Sequence, residues 1–371
     1  MRDKGLRAVV VPSGNQREKA VSFQAWHLPG GIMHPAAIAV VACCLLIVPP
    51  AAAGEVATNT ELVERSVERG LAYLARAQQK DGGYQGARTG VTATCALAFM
   101  AHGHLPGRGE YGQQVAHAVD YLLDHRTSEG AIYDGGEAPM YQHGLATLAL
   151  AEAFGESQDE RLRPAITAAV DLIVRVQNPQ GGWRHYLTTT DGAELPGSVV
   201  QLMALRAAYG AGFSVPPETI SQGTAYVRDC QNRRGDGGDG GFCYDRNGAS
   251  NWPRTGSGVA SLQMAGNYLG TEIREGLDFI MEFEPLGTKP VPERHWWHFG
   301  SYYVSLGLYL GQNRGEWEKQ LWERYIGAME KRILTEQRAD GSWEGPHGAY
   351  CSAMYLMILS LRLGYLPVHQ K

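Results

Sequence analysis

The chain has 371 residues, of which 44% are apolar and 19% charged, and a net charge of −5. That size and composition suit a soluble chain built around a sizeable core, and the acidic balance argues against a nucleic-acid partner. Its 47 glycines exceed the usual share of roughly 7% but gather in short turns, which signals many helix ends and excludes a collagen-like register.

Residues 1–53 stand apart from the rest. Ala36 to Val48 is an apolar run too short for a comfortable membrane span, followed by Pro49-Pro50 and the small residues Ala51-Ala52-Ala53. This is the shape of a secretory signal with cleavage near Ala53; an uncleaved N-terminal anchor is the alternative. Lys4, Arg7, Arg17 and Lys19 lie far upstream of the run, which points to Met33 as the initiator. The expectation is an exported protein, periplasmic or secreted, that meets a membrane only if that segment stays attached. Removing 1–53 takes away five cations and two anions and leaves a charge of −8. Cys43 and Cys44 leave with it, and Cys95, Cys230, Cys243 and Cys351 remain without a CxxC pair, against a zinc knuckle or a thioredoxin-like motif. Cys230 and Cys243 flank the most Gly-rich loop. An exported chain is expected to close it as a disulfide, a gain on the order of 3 kcal/mol for so short a loop.

From Val63 onward one grammar repeats. Val63, Val67, Leu71 and Leu74 fall at helical spacing with charged residues between them, an amphipathic helix. A glutamine and a glycine turn with an aromatic follow: Gln78 before Gly82-Gly83-Tyr84. The pattern returns at Gln177 with Gly181-Gly182-Trp183, at Gln231 with Gly240-Gly241-Phe242, and at Gln337 with Gly341 and Trp343. Glycine stops a helix cheaply in the left-handed conformation, and the glutamine amide is placed to bond backbone groups exposed there. Repeats two and five carry Arg126 and Glu284 instead, so their corners are expected to be built differently. Anchors at Tyr73, Tyr121, Leu172, Tyr226, Phe279 and Arg332 are spaced 48, 51, 54, 53 and 53 residues apart, a repeat architecture. Each second helix (Val91–Met100, Leu145–Leu150, Val199–Leu205, Tyr302–Leu310, Ala349–Leu361) is apolar on nearly every face, so it must be buried on all sides. The pattern predicts an all-α, six-hairpin α/α toroid of two concentric helical rings, one domain over 55–371.

The Gln-x(3–5)-Gly-x-Trp corner, recurring over about residues 60–366, resembles the terpenoid cyclase and protein prenyltransferase superfamily, which includes squalene–hopene cyclases and prenyltransferase β-subunits. The resemblance implies an aromatic-lined central cavity for an isoprenoid chain. The Asp-x-Asp-Asp acid of squalene–hopene-type cyclases is absent. The inner-helix starts read ARTGVTATC, MYQHGLATL, ELPGSVVQL, PRTGSGVAS, WHFGSYYVS and PHGAYCSAM. Asp236-Gly-Gly-Asp239 is its nearest look-alike and reads as a turn; no DDxxD is present. His347-Gly-Ala-Tyr350-Cys351 is similar to the zinc-binding His segment of prenyltransferases. Aligning the preceding helix on Leu306-Gly307-Leu308 puts His298 where that family has Asp and Gly300 where it has Cys. The resemblance thus implies zinc held by His298 and His347, with His295 or Cys351. The alternative is that both histidines start helices and bond loop carbonyls.

Geometry adds a second expectation. Six inner helices that all begin after the turns converge their N-termini on one mouth, which favours an anion. Arg88, Arg254 and Arg294 stand beside three of these starts, above an aromatic wall of Trp252, Trp296, Trp297, Tyr302, Tyr303 and Tyr350. An apolar molecule with an anionic head would suit such a site. Serine-hydrolase, zinc-protease, phosphate-loop, dinucleotide and thioester signatures are missing. The leading reading is an exported prenyltransferase/squalene cyclase-like repeat protein that binds an isoprenoid or other apolar ligand, as a divergent or a silent enzyme. The alternatives are a non-catalytic extracytoplasmic binding or scaffold module, and a carbohydrate-active enzyme drawing two carboxylates from Asp134, Glu137, Asp191, Asp245, Glu293 and Glu344.

Overall fold

The structure, a computed structural model, describes residues 58–370 apart from Glu137, Asp191 and Glu293. The signal or anchor region 1–53 therefore lies outside the described residues. Twelve α-helices alternate between two layers. The outer layer holds α1 (Asn59–Ala77), α3 (Gly112–Asp124), α5 (Arg163–Arg175), α7 (Pro217–Asp229), α9 (Thr271–Ile280) and α11 (Glu316–Glu336). The inner layer holds α2 (Arg88–Ala101), α4 (Pro139–Ser157), α6 (Leu195–Gly210), α8 (Trp252–Met264), α10 (Trp297–Gly311) and α12 (Ala349–Ser360). Each inner helix packs on the next, and α12 packs on α2, so the ring closes. No described helix is long and apolar enough to cross a membrane.

The two layers follow from the two hydrophobic patterns. In α1 the buried positions are Ser66, Gly70, Leu71 and Leu74, one face of a helix whose start is fixed by a reciprocal Thr58–Glu61 cap. In α2 every residue from Thr89 to Ala101 is buried, because that helix touches the outer layer on one side and ring neighbours on the others.

The glutamine corners do more than end helices. Gln78 Nε2 donates to Gly82 O and also to Gln114 O of the following outer helix, both at 2.9 Å. Gln177 and Gln231 span their own turn and the next outer helix in the same way. Where the aromatic is Tyr or Trp it donates back into its own outer helix, as Tyr84 does to Leu74 O at 3.0 Å and Trp183 Nε1 to Ile173 O and Trp343 Nε1 to Ile333 O at 2.8 Å. Its backbone N–H meets a hydroxyl on the inner helix: Thr92, Ser198, Thr255 or Ser352. Repeat two departs as expected and puts a histidine in that place, with Ile132 N donating to His143 Nδ1 at 3.1 Å. Repeat five closes instead with a short loop in which Glu284 N donates to Lys289 O at 2.9 Å and Lys289 N to Glu282 O at 3.0 Å. At Gly82, with φ +87°, an added Cβ would stand 2.2 Å from His117 O of α3; only glycine lets this turn approach the next outer helix so closely.

The expected disulfide is absent. Cys230 and Cys243 are buried free thiols, and Cys243 Sγ donates to Gly248 O at 3.1 Å. Backbone bonds close that corner in its place, Cys243 N to Cys230 O at 2.8 Å and Asn232 N to Gly241 O at 2.9 Å.

Beyond α12 the chain turns back into the ring. Leu366, Val368 and His369 are buried. Val368 N donates to Glu152 Oε1 of α4 at 3.1 Å, and His369 Nε2 shares a 2.9 Å hydrogen bond with the Tyr302 hydroxyl of α10. Arg206 Nη2 of α6 donates to Gln370 O at 3.1 Å. The segment thus fills the ring below the level of Tyr302.

Candidate ligand cavity

The six inner-helix starts surround a cavity of about 890 Å³. Each contributes to its lining: Gly90 and Val91 from α2, Tyr141 and Gln142 from α4, Glu194 and Pro196 at α6, Pro253 and Arg254 from α8, Phe299 from α10, and Ala349 and Tyr350 from α12. Most of the lining is apolar, and Tyr73, Tyr84, Tyr244 and Trp296 complete an aromatic wall. Positive helix ends face this space. The size falls within the usual range for ligand sites, roughly 300–1,000 Å³.

Several expected residues meet here. Arg254, Trp296, His347 and Tyr350 line the cavity. Others do not. Arg88 is turned to the outer rim, bonded to Asp81 at 2.5 Å and Gln79 at 2.9 Å, with its guanidinium over Tyr121. Of Arg294 only the backbone, in a short 3₁₀ turn, is described. Trp297 lies between the layers: it stacks on Trp252 at 5.3 Å and 4°, donates to Tyr355 at 2.9 Å and carries Arg332 on its ring. Tyr303 packs under Phe299, and Tyr302 is tied to His369, so both belong to the floor. The aromatic wall is therefore shallower than expected, because the returning chain end occupies the lower half.

The zinc set does not assemble. His298 is buried with neither ring nitrogen bonded, and burial, with Arg332 and His347 adding to it, pushes its pKa down to about 4. The His347 pKa is lowered by burial and by neighbouring His295, whose ring lies 4.7 Å away. Gly345 is wedged against both His298 and Cys351, where an added Cβ would stand 2.8 Å from His298 Cε1 and 2.4 Å from Cys351 Sγ. Among the described residues no three His, Cys, Asp or Glu side chains gather around a metal-sized space, and no chemistry is assigned to zinc.

The acid pair of a glycosidase is likewise not gathered among the described residues. Asp134 accepts from the Tyr121 hydroxyl, Asp245 from Asn247 N, and Glu344 pairs with Arg338 at 2.6 Å. None of the three lines the cavity; Glu137, Asp191 and Glu293 lie outside the described residues.

A different carboxylate occupies the cavity wall. Glu194, 2% exposed, accepts from His185 Nδ1 at 2.9 Å and, through a short contact, from the Tyr244 hydroxyl. Burial and the bond to Glu194 hold the Tyr244 pKa well above its ordinary value. Sequence reading passed over this trio. Its one signal was an acid just before the proline of an inner-helix start, ELPGSVVQL, because the repeat places that position at the mouth.

Compared with known proteins, the chain matches no family model and no curated relative. Solved structures do match. Type II terpene cyclase MstE from Scytonema, in a variant holding its substrate geranylgeranyl dihydroxybenzoate, is 18% identical with TM-score 0.57, over 83% of this chain and 99% of that one. An α-1,6-mannanase of Salegentibacter is 9% identical with TM-score 0.62, over 80% and 98%. Cellobiose 2-epimerase from Bacillus thermoamylovorans is 14% identical with TM-score 0.60, over 82% and 100%. The chain has the α/α toroid fold of these enzymes. At such identities the likeness is one of fold.

Proposed function

We propose that this protein takes a long apolar molecule of isoprenoid type into its central cavity, outside the cytoplasm. The observation that carries the reading is the cavity itself: about 890 Å³, walled by aromatic rings from several repeats, Tyr73, Tyr84, Tyr141, Tyr244, Phe299 and Tyr350 among them. Aromatic and aliphatic walls recover on the order of 25 cal/mol for each Å² of apolar ligand surface removed from water. A similar toroid, MstE, has been seen with a prenylated substrate and with its product merosterolic acid A, which fits a ligand of this class. The absent Asp-x-Asp-Asp and unassembled zinc set separate this chain from the protonating cyclases and from the prenyltransferases that its corners resemble.

The test is native mass spectrometry after mild purification, joined to a titration with geranylgeraniol followed through intrinsic tryptophan fluorescence, with Trp296→Phe as the control that identifies the cavity's share of the signal. A co-purified lipid or saturable binding supports the reading. A protein that carries no lipid and shows no saturable change loses it. Fusion of residues 1–57 to a reporter active only after export tests the location; retention of the reporter in the cytoplasm overturns that part.

A further inference from the structure

Glu194 is the one carboxylate among the described residues lining the cavity. Three backbone bonds fix the segments that present it and its partners: Glu194 N to Trp183 O at 2.9 Å, Leu195 N to Tyr244 O at 2.7 Å, and Met140 N to His185 O at 3.1 Å. Its Oε2 receives both His185 Nδ1 and the Tyr244 hydroxyl. A carboxylate on Nδ1 fixes the imidazole tautomer with the proton on Nδ1 and the lone pair on Nε2. The His185 ring borders the cavity.

We propose that His185 Nε2 is the proton-accepting contact for a hydroxyl group on the ligand, and that the cavity therefore selects an alcohol-terminated apolar molecule. This deepens the cavity reading above and rests on it. The charges around the cavity are of both signs, Glu194 on one side and Arg254, over the Tyr244 ring at 5.9 Å, on the other. Neither sign of head group is matched without also meeting a like charge. A neutral hydroxyl needs no counter-charge and can donate to Nε2. Glu194 acts here as a positioning residue through His185, and Tyr244 holds Glu194.

The test compares geranylgeraniol with its methyl ether, which keeps the chain and the oxygen but has no proton to donate. The intact protein is expected to bind the alcohol roughly threefold to tenfold more tightly, the usual worth of one hydrogen bond. His185→Phe should bring the alcohol down to the level of the ether. Nitrogen-15 NMR of the imidazole should show Nδ1 protonated and Nε2 bare, with Nε2 shifting when the alcohol binds. Glu194→Gln should give mixed tautomers and weaker discrimination, a signature that loss of packing alone would not produce. Equal affinity for alcohol and ether, or an Nε2 resonance unmoved by the alcohol, overturns the proposal while leaving the cavity reading intact. Binding of neither compound removes both. The NMR arm uses the unaltered protein, so it decides the matter even if His185→Phe fails to fold.

Discussion

Gln337 Nε2 donates to Ser66 O at 2.8 Å across 271 residues. In repeats one, three and four the same side chain ties a turn to the next outer helix along the chain; in the last repeat the next outer helix is α1. The bond therefore closes the outer ring noncovalently, while Gly341 O, at 3.0 Å, takes the second proton.

Gln337→Ala removes both bonds and leaves partly buried carbonyls without a donor. Such losses cost about 1–3 kcal/mol. Urea unfolding should register a fall of that size, and Gln177→Ala, which breaks an internal corner, should fall by a similar amount. A change under about 0.5 kcal/mol would mean the clasp contributes little.

Gly82 and Gly136 separate strain from collision. Both have positive φ, +87° and +76°, yet a Cβ at Gly82 meets His117 O at 2.2 Å and one at Gly136 meets nothing within 4 Å. Gly136→Ala should cost about 1–2 kcal/mol, the left-handed penalty alone. Gly82→Ala should cost clearly more, because the obstacle is backbone. Equal losses in thermal melts would contradict the close approach of the Gly82 turn to α3.

Glu152 gives stability a pH dependence of known sign. Burial raises its pKa from 4.5 to about 8, so between those values the folded chain keeps a proton that the unfolded chain releases. Stability contributed this way falls as pH rises through that window and levels off above it. On the acid side the slope reverses: burial lowers His143 and His298 to about 4 and His369 to about 3, from 6.5. The unfolded chain then binds protons that the folded one refuses. Glu152→Gln keeps an acceptor for Val368 N and should be more stable than the parent at pH 8, by on the order of 4 kcal/mol, with a difference of about 1 kcal/mol or less at pH 5. Parallel stability curves for the two proteins would refute the buried neutral acid.

Gly90 lines the cavity, and a Cβ there keeps 3.6 Å or more from its neighbours. Gly90→Phe should fold with an unchanged melting temperature or a higher one, since glycine inside a helix costs about 1 kcal/mol. It should also weaken geranylgeraniol binding at least threefold by occupying the site. Undiminished binding by a folded Gly90→Phe protein would place the ligand elsewhere.

The ring was legible because its signals are local and repeated: a glutamine, a left-handed glycine and an aromatic mark each corner, and helices apolar all round have nowhere to lie but inside. The site was legible only in outline. Convergence of six helix starts followed from the period, and of the residues named for the mouth Arg254, Trp296 and Tyr350 line the cavity. The azimuth of a side chain on a wholly buried helix carries no sequence signature, so Trp297 faced the outer layer and Tyr302 the floor without warning. Arg88 was misplaced for a related reason, since Asp81, seven residues earlier, captures it. Glu194 and His185 lie nine residues apart in the α5–α6 connection, and only the fold brings Tyr244 to them from the α7–α8 connection.

The returning chain end is held by three inner helices at once: Val368 N on Glu152 of α4, His369 on Tyr302 of α10, and Gln370 O on Arg206 of α6. None of these residues lines the cavity. One end of the ring is thus stapled by the chain's own last residues while the other stays open, so the two ends carry separate duties: rigidity at one, admission at the other.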